Sequence, residues 1–358
     1  MASTPTTTKP RRIGFKRWIV LALIVLGAYL AFFAKGIFTP VSPAVVLPGE
    51  PVWHGVTWMT NTLLSTLVAD VLLFLLAFSG YRYVKSGKLV PQGFYNFWEF
   101  LVEFLWNATE STAGKWARRI FPVMATIFML VFMTNMIRVI PGFETIGWLE
   151  QSDGHHQGYA PVQLLPGFYA TDGSHPVDVA HAEGEEAAAE GDHAAAEGMC
   201  TSCVLVPFLR GAATDLNFTF ALAVIAVVMV EVFGVWALGA AYFGKFFNTG
   251  GMISKPFFGV IDFGVGLLEL VSEFSKILSF GFRLFGNIFA GALLLSIVGA
   301  LTAVVVPSML YALEIFVGII QAYVFGMLAL VFMSQATVSH HAEGHEEHSE
   351  AHEAAPAH

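Results

Sequence analysis

The chain has 358 residues, 56% of them hydrophobic, and a mean hydropathy of +0.65. Soluble domains run at about 45–50% apolar, so a single soluble fold is excluded and a polytopic membrane protein is expected. The formal net charge of −9 says little about partners. Most acids sit in residues 150–198 and in the tail after Val338, and the rest of the chain is mildly basic.

Residues 1–17 are polar and basic, with Lys9, Arg11, Arg12, Lys16 and Arg17, and an apolar run follows from Trp18 to Ala34. That order fits a signal peptide or a short first spanning helix. The length of the run, and an exit at Ala31 to Ala34 without a clean cleavage pattern, favour a retained helix. The basic start puts the N-terminus in the cytoplasm and residues 35–57 outside. Trp58 to Phe78 predicts a second span, holding Asp70 and leaving on the cytoplasmic side at Arg82, Lys85 and Lys88.

Residues 92–113 predict an interfacial helix. Phe94, Phe97, Trp98, Leu101, Phe104 and Leu105 share one face, opposite Glu103, Asn107 and Glu110. A buried amphipathic helix of the bundle is the alternative. Lys115, Arg118 and Arg119 mark the cytoplasmic side again, and Ile120 to Ile140 crosses outward. Residues 141–213, rich in Ala, Glu, Gly and His, are expected to form an exterior, disordered insertion, because such a composition buries too little apolar surface to fold.

Within that insertion, Cys200 and Cys203 are the only cysteines, too few for a disulfide framework. An oxidising compartment would permit a local bridge. Val204 stands where a haem-attachment motif needs histidine. A metal site with His181 or His193 is disfavoured, since the flanking loop does not fix geometry. Apart from His54, all 12 histidines lie in the two polar segments, which leaves no imidazole inside the membrane.

Asp215 to Phe243 crosses back, and Lys245 and Lys255 flank a turn at Asn248–Gly251. Residues 256–304 and 307–337 each exceed the roughly 20 residues needed to cross. Tilt accommodates the excess. The tail from Ser339 is acidic, His-rich and expected to be disordered in the cytoplasm. The fold class expected is an all-α polytopic membrane protein of about five to six membrane helices, two of them long and tilted, plus the interfacial helix. Its regions are 1–34, 35–140, 141–213, 214–338 and 339–358.

Arg283 lies inside the first of the two longest apolar stretches, with no acid within a helical turn of it in sequence. A guanidinium stays charged at any ordinary pH. Holding it at bilayer depth costs roughly 3 kcal/mol on insertion scales and about 10 or more by simulation. A chain that tolerates this generally uses the charge; snorkelling or pairing with a structural acid is the plainer alternative. At helical spacing Glu269, Glu273, Lys276, Arg283 and Asn287 fall within about 80° of one another, over about 27 Å. The first three fit a local ion-pair cluster or a hydrated lining. On the last long stretch Glu314, Gln321 and Gln335 share a face. An uncompensated glutamate there needs water, a partner or a proton. Gly281, Gly286 and Gly291 recur every five residues, as surfaces for close approach by another helix.

Arg283-Leu-Phe-Gly-Asn287, preceded by Lys276 and followed by Ala290-Gly291, resembles the a subunit of the F-type ATP synthase membrane sector. Thr60 to Ser65, Phe121-Pro122, Thr134 to Met136, Asp215 to Asn217 and Gln321 to Tyr323 fall in the family's order, so the resemblance covers roughly residues 55–337. It implies a proton-translocating subunit of a bacterial plasma membrane with two aqueous half-channels. Its implied partners are a ring of c subunits, the b subunits of a peripheral stalk, the other ATP synthase subunits and the lipid bilayer. No nucleic acid, cofactor or metal is implied. The long stretches would face the ring, with Gly281, Gly286 and Gly291 making room for it and Arg283 as the charge separating the half-channels. Glu314, Gln321 and Asn287 would line the proton path. Glu269, Glu273, Lys276, Asp215, Asn217 and Glu231 would be secondary. Relatives often place another ionisable group where this chain has Ala292, which points to an inlet with a single carboxylate.

No phosphate-binding loop occurs in the sequence, so the chain is not expected to be an enzyme on its own. A stand-alone channel or secondary transporter is the rival reading, but a transporter would show paired repeats with broken helices. A structural scaffold would need neither polar stripe.

Overall fold

The computed structural model describes residues 48–53, 55–87, 93–140, 142–152, 157–177, 200–246, 256–301 and 305–338, with single positions at 18, 21, 22, 25 and 29. Contacts divide the chain into one unit of Met1–Val45, Leu149–Leu205 and Leu293–Tyr311, and another of Val46–Trp148, Val206–Ala292 and Ala312–His358.

The second unit opens with a small antiparallel hairpin, β1 (Pro51–Trp53) and β2 (Val56–Thr60). Thr60 then caps α1 (Asn61–Lys85), its hydroxyl accepting from the Leu63 amide at 3.2 Å. Arg82 and Lys85 in the last turn suit the negative end of the helix dipole. Next come α2 (Phe94–Ala113) and α3 (Ala117–Arg138), joined through Gly114, whose φ of 48° lies in the left-handed region. Then follow α4 (Leu216–Leu238), α5 (Pro256–Leu301) and α6 (Val305–Ala336). Pro256 is the first residue of α5, where its missing N–H is harmless. By helical rise α5 is about 69 Å long and α6 about 48 Å, both beyond the ~30 Å hydrocarbon core.

Among the described residues five helices are long and apolar enough to cross a membrane, one of the spans lying within the stretch Phe94–Arg138. The chain is a mostly helical, multi-pass membrane protein. The buried residues repeat at helical spacing: Met124, Phe128 and Val131; Ala223, Val227 and Val230; Phe280, Leu284 and Ile288; Ala322, Phe325 and Ala329. Leu67, Val71, Phe74 and Phe78 of α1 remain exposed, as lipid-facing residues should. Because lipid tails are as apolar as leucine, these helices associate by close packing. A Cβ on Gly318 would come within 3.2 Å of the Asn135 Cβ, and one on Gly326 within 3.2 Å of the Phe128 Cβ. These two glycines set the contact of α3 with α6.

The expected apolar face of α2 divides. Leu105 is buried, together with Thr109 and Ala113, whereas Phe94, Phe97 and Phe104 are exposed. Aromatic residues stand on more of this helix than one interface can cover, and the buried positions lie in its second half.

The largest departure from expectation lies in residues 141–213, which are not without structure. They hold β3 (Gly147–Gln151), β4 (Gly158–Leu165), β5 (Phe168–Val177) and β6 (Cys203–Pro207), in the sheet order β3-β6-β4-β5. β4 and β5 form a hairpin running from Gly158↔Val177 to Leu165↔Phe168, turning at Gly167 with φ 83°. Cys200 and Cys203 form a disulfide, and Cys203 pairs with Tyr159 across β6 and β4. Composition misled because it was averaged. The Ala-, Glu- and His-rich run of residues 178–199 dominates the mean and lies outside the described residues. The flanks carry Tyr159, Val162, Phe168 and Tyr169, which favour strands. The helical, polytopic expectation holds, with this sheet and the β1–β2 hairpin added to it. Residues 1–17 and the tail from Ser339 lie outside the described residues.

Candidate functional site

The packing of α5 against α6 builds the middle of the site. Phe280 lies edge-on to Phe325 at 4.9 Å and Phe332 at 5.7 Å. Two turns along α5 the polar residues meet: Asn287 Nδ2 donates to Gln321 Oε1 at 2.7 Å. Gln321 is only 3% exposed, and its Nε2 is buried without an acceptor among the described residues. Arg283, one turn before Asn287, is exposed. Among the described residues no acid lies within ion-pair distance of it.

The three glycines expected to make room for another subunit have separate uses. A Cβ on Gly281 would stand 3.0 Å from the Phe220 ring of α4, and one on Gly291 would stand 2.6 Å from Glu314 Oε1. Both clearances are used inside the chain. A Cβ on Gly286 would meet nothing within 4 Å among the described residues.

Toward one end of α6 the expected lone carboxylate proves to be paired. Arg138, the last residue of α3, donates from Nη2 to both oxygens of Glu314, at 2.9 and 2.7 Å. The two side chains are 6% and 10% exposed. Arg138 Nε also lies 3.5 Å from Glu144 Oε1. That oxygen accepts the Gly211 amide proton at 2.8 Å. Gly211 itself abuts the Arg138 side chain, which a Cβ there would displace. Beside the pair, Asn135 Nδ2 donates to the Gly318 carbonyl at 3.2 Å, fixing α3 against α6. Sequence reasoning missed Arg138 and Glu144. A signal was present: α3 was expected to end outside, where basic residues are depleted, so an arginine there asked for a partner.

At the other end, Lys276 Nζ contacts Glu273 Oε1 at 2.7 Å and lies over the Phe332 ring at 4.9 Å. The stripe of α5 is therefore an i,i+3 ion pair over this part. Tyr242, in the helical turn Gly239–Lys245 that follows α4, is buried against Gly234. Burial raises its phenol above the ordinary range. Glu231, which also hydrogen-bonds it, Glu273 and Glu269 raise it further by their negative charge. Tyr242 thus stands neutral among three carboxylates that the sequence had placed on two different helices. In the sequence Tyr242 falls at the end of the expected Asp215 to Phe243 crossing, with nothing to mark it.

Asp215 stands apart from both groups. Its carboxylate caps α4, accepting the Asn217 amide at 2.8 Å and the Thr62 hydroxyl at 2.7 Å. This N-cap ties α4 to α1. Asn217 contributes its backbone to the cap while its side chain is exposed. The structure therefore brings together Asn287 with Gln321, Glu273 with Lys276, and Glu231 and Glu269 around Tyr242, and does not join Asp215 to Glu314.

Residues 62–334 match the family described as ATP synthase A chain. The chain is 27% identical over 288 residues to the ATP synthase subunit a of Mycobacterium tuberculosis (strain CDC 1551 / Oshkosh), covering 79% of this chain and 89% of that one. It is likewise 27% identical over 264 residues to the ATP synthase subunit a of Campylobacter jejuni subsp. jejuni serotype O:6, covering 73% and 83%.

Proposed function

The chain belongs to the ATP synthase A chain family, and from that premise we propose that it forms two aqueous half-channels against a rotating ring of c subunits, with Arg283 between them. It is a membrane component of the complex and works with other ATP synthase subunits; the b subunits of the peripheral stalk hold it against the ring. The reading sets it in a bacterial plasma membrane, with the basic N-terminus in the cytoplasm.

One observation carries the proposal. Arg283 is exposed, beside the open face of Gly286, with no acid within ion-pair distance among the described residues. A permanent cation at bilayer depth needs a counter-charge. A carboxylate arriving on another subunit supplies it.

That geometry supports the following steps. A proton enters from the outside past Glu314 and reaches the Asn287–Gln321 hydrogen bond. The buried Gln321 Nε2 is the kind of donor that a hydrated path satisfies. The proton then neutralises a ring carboxylate, which in that form can face lipid while the ring turns. On meeting Arg283 the ring carboxylate gives the proton up, since an adjacent cation favours the ionised form by roughly 1–3 pKa units. The proton leaves toward the cytoplasm along Glu231, Glu269, Glu273 and Lys276. Arg283 also bars direct passage between the half-channels. The test is ATP-driven proton pumping by inverted vesicles carrying Arg283→Ala: the reading expects none, and pumping at the parent rate would end it.

A further inference from the structure

We propose that Glu144, Arg138 and Glu314 act as one proton-loading unit at the outer inlet, with Glu144 as its solvent-facing member; this rests on the proton-path reading above. Arg138 lies between two carboxylates, within 2.7 Å of Glu314 and 3.5 Å of Glu144. The Glu144 side chain is 37% exposed, against 10% for Glu314. Glu144 reaches water, and Glu314 faces the interior of the helix packing.

Charge counting gives the function. Two carboxylates and one guanidinium carry a net charge of −1, and one added proton brings the unit to zero. A buried site favours neutrality. The proton leaves a hydronium ion, bonds to a carboxylate oxygen of Glu144 or Glu314, and leaves water behind. Arg138 remains paired with whichever carboxylate is still ionised, so neither loaded form strands a buried charge. Without Glu144 the remaining pair is already neutral, and loading it creates a net positive charge beside α6. That is the less favourable direction at low dielectric.

Two glycines make the unit possible: Gly291 leaves room for the Glu314 carboxylate and Gly211 for the Arg138 stem. The other charged groups on the neighbouring segments are engaged elsewhere. Arg210 donates to the Pro48 carbonyl at 3.0 Å, and Asp215 accepts from Thr62 at 2.7 Å. From α5 the unit meets Gly291, next to Ala292, neither of which titrates.

The experiment measures proton flux through the intact ATP synthase in lipid vesicles against pH on the entry side, per assembled complex. Glu144→Gln keeps an oxygen to accept the Gly211 amide while removing the charge. Flux near neutral entry pH should fall by about tenfold, with the half-maximal point moved to more acidic pH. Glu144→Asp keeps the charge and should retain the parent's half-maximal pH even if total flux falls. A parental pH profile for Glu144→Gln overturns the proposal, and so does a shifted profile for Glu144→Asp. If Glu144→Gln does not assemble, the Glu144→Asp profile alone decides. Arg283→Ala in the same vesicles separates the two readings. If it pumps, the proton path falls. If it is dead while Glu144→Gln keeps the parental profile, only the loading unit falls.

Discussion

Arg138 and Arg283 are the same residue type at two depths of one helix packing, and their surroundings are opposite. Arg138 is enclosed, with Glu314 on one side and Glu144 on the other. Arg283 is exposed, with no acid within ion-pair distance among the described residues. A charge satisfied inside its own chain fixes structure and local charge balance. A charge left open is, under the proposed function, available to a carboxylate of another subunit. Location in an apolar stretch, which is how each would be noticed in the sequence, does not separate these roles.

The sharpest break of this comparison is at Arg283. Arg283→Ala should abolish ATP-driven pumping in inverted vesicles. Arg283→Lys should be severely impaired as well, because a desolvated ammonium can lose its proton and lacks the planar fork. If lysine restored full pumping, charge alone would be the requirement.

Arg138→Ala should act first on stability. It leaves Glu314 nearly buried without its cation, a loss of about 3–5 kcal/mol for a pair of this kind. Thermal unfolding of the purified complex and the yield of assembled complex report this. Adding Glu314→Gln to Arg138→Ala should recover most of the assembly, since no buried charge is then left over. A double variant as unstable as the single would mean that Arg138 acts mainly through packing against Gly211.

Gly291→Ala is a smaller intrusion. Its methyl group would sit 2.6 Å from Glu314 Oε1, so the carboxylate must shift. A cost of about 1–3 kcal/mol is expected for overpacking, with flux reduced several-fold at matched assembly. Gly286→Ala on the same helix meets nothing within 4 Å among the described residues. Any loss of flux there, with the fold intact, reports contact with another subunit.

The mildest change is Tyr242→Phe, which removes a neutral phenol from among Glu231, Glu269 and Glu273. Its hydrogen bond is worth about 1 kcal/mol, so assembly should hold and pumping should fall by less than about threefold. Because the phenol stays protonated throughout the working range, the pH profile should not move. A displaced profile would show that Tyr242 takes part in proton release beyond shaping the cluster.

Much was legible in the sequence, and the reason is periodicity. Apolar length gave the spans, helical spacing gave the α5 stripe, and the seven-residue step from Glu314 to Gln321 set both on one face of α6. These are properties of one segment at a time. A long apolar run has few alternatives to a helix in lipid, because every backbone polar group must be bonded within it. The Arg283 motif named the family for the same reason, being contiguous in the chain.

Partnerships between segments were decided by tertiary structure. Glu314 was expected alone, and its partner Arg138 lies 176 residues away. Asp215, expected as a secondary residue of the proton path, is also a helix cap held by Thr62, 153 residues distant. Gly281 and Gly291 were assigned to another subunit and are taken up by Phe220 and Glu314 within the chain. The strands between residues 147 and 207 were hidden by a composition averaged over their polar neighbour. Sequence fixes which groups a helix presents and in what order along its length. Which group meets which depends on the rotation and offset of one helix against another, and those are set by close packing at residues such as Gly211, Gly291 and Gly318.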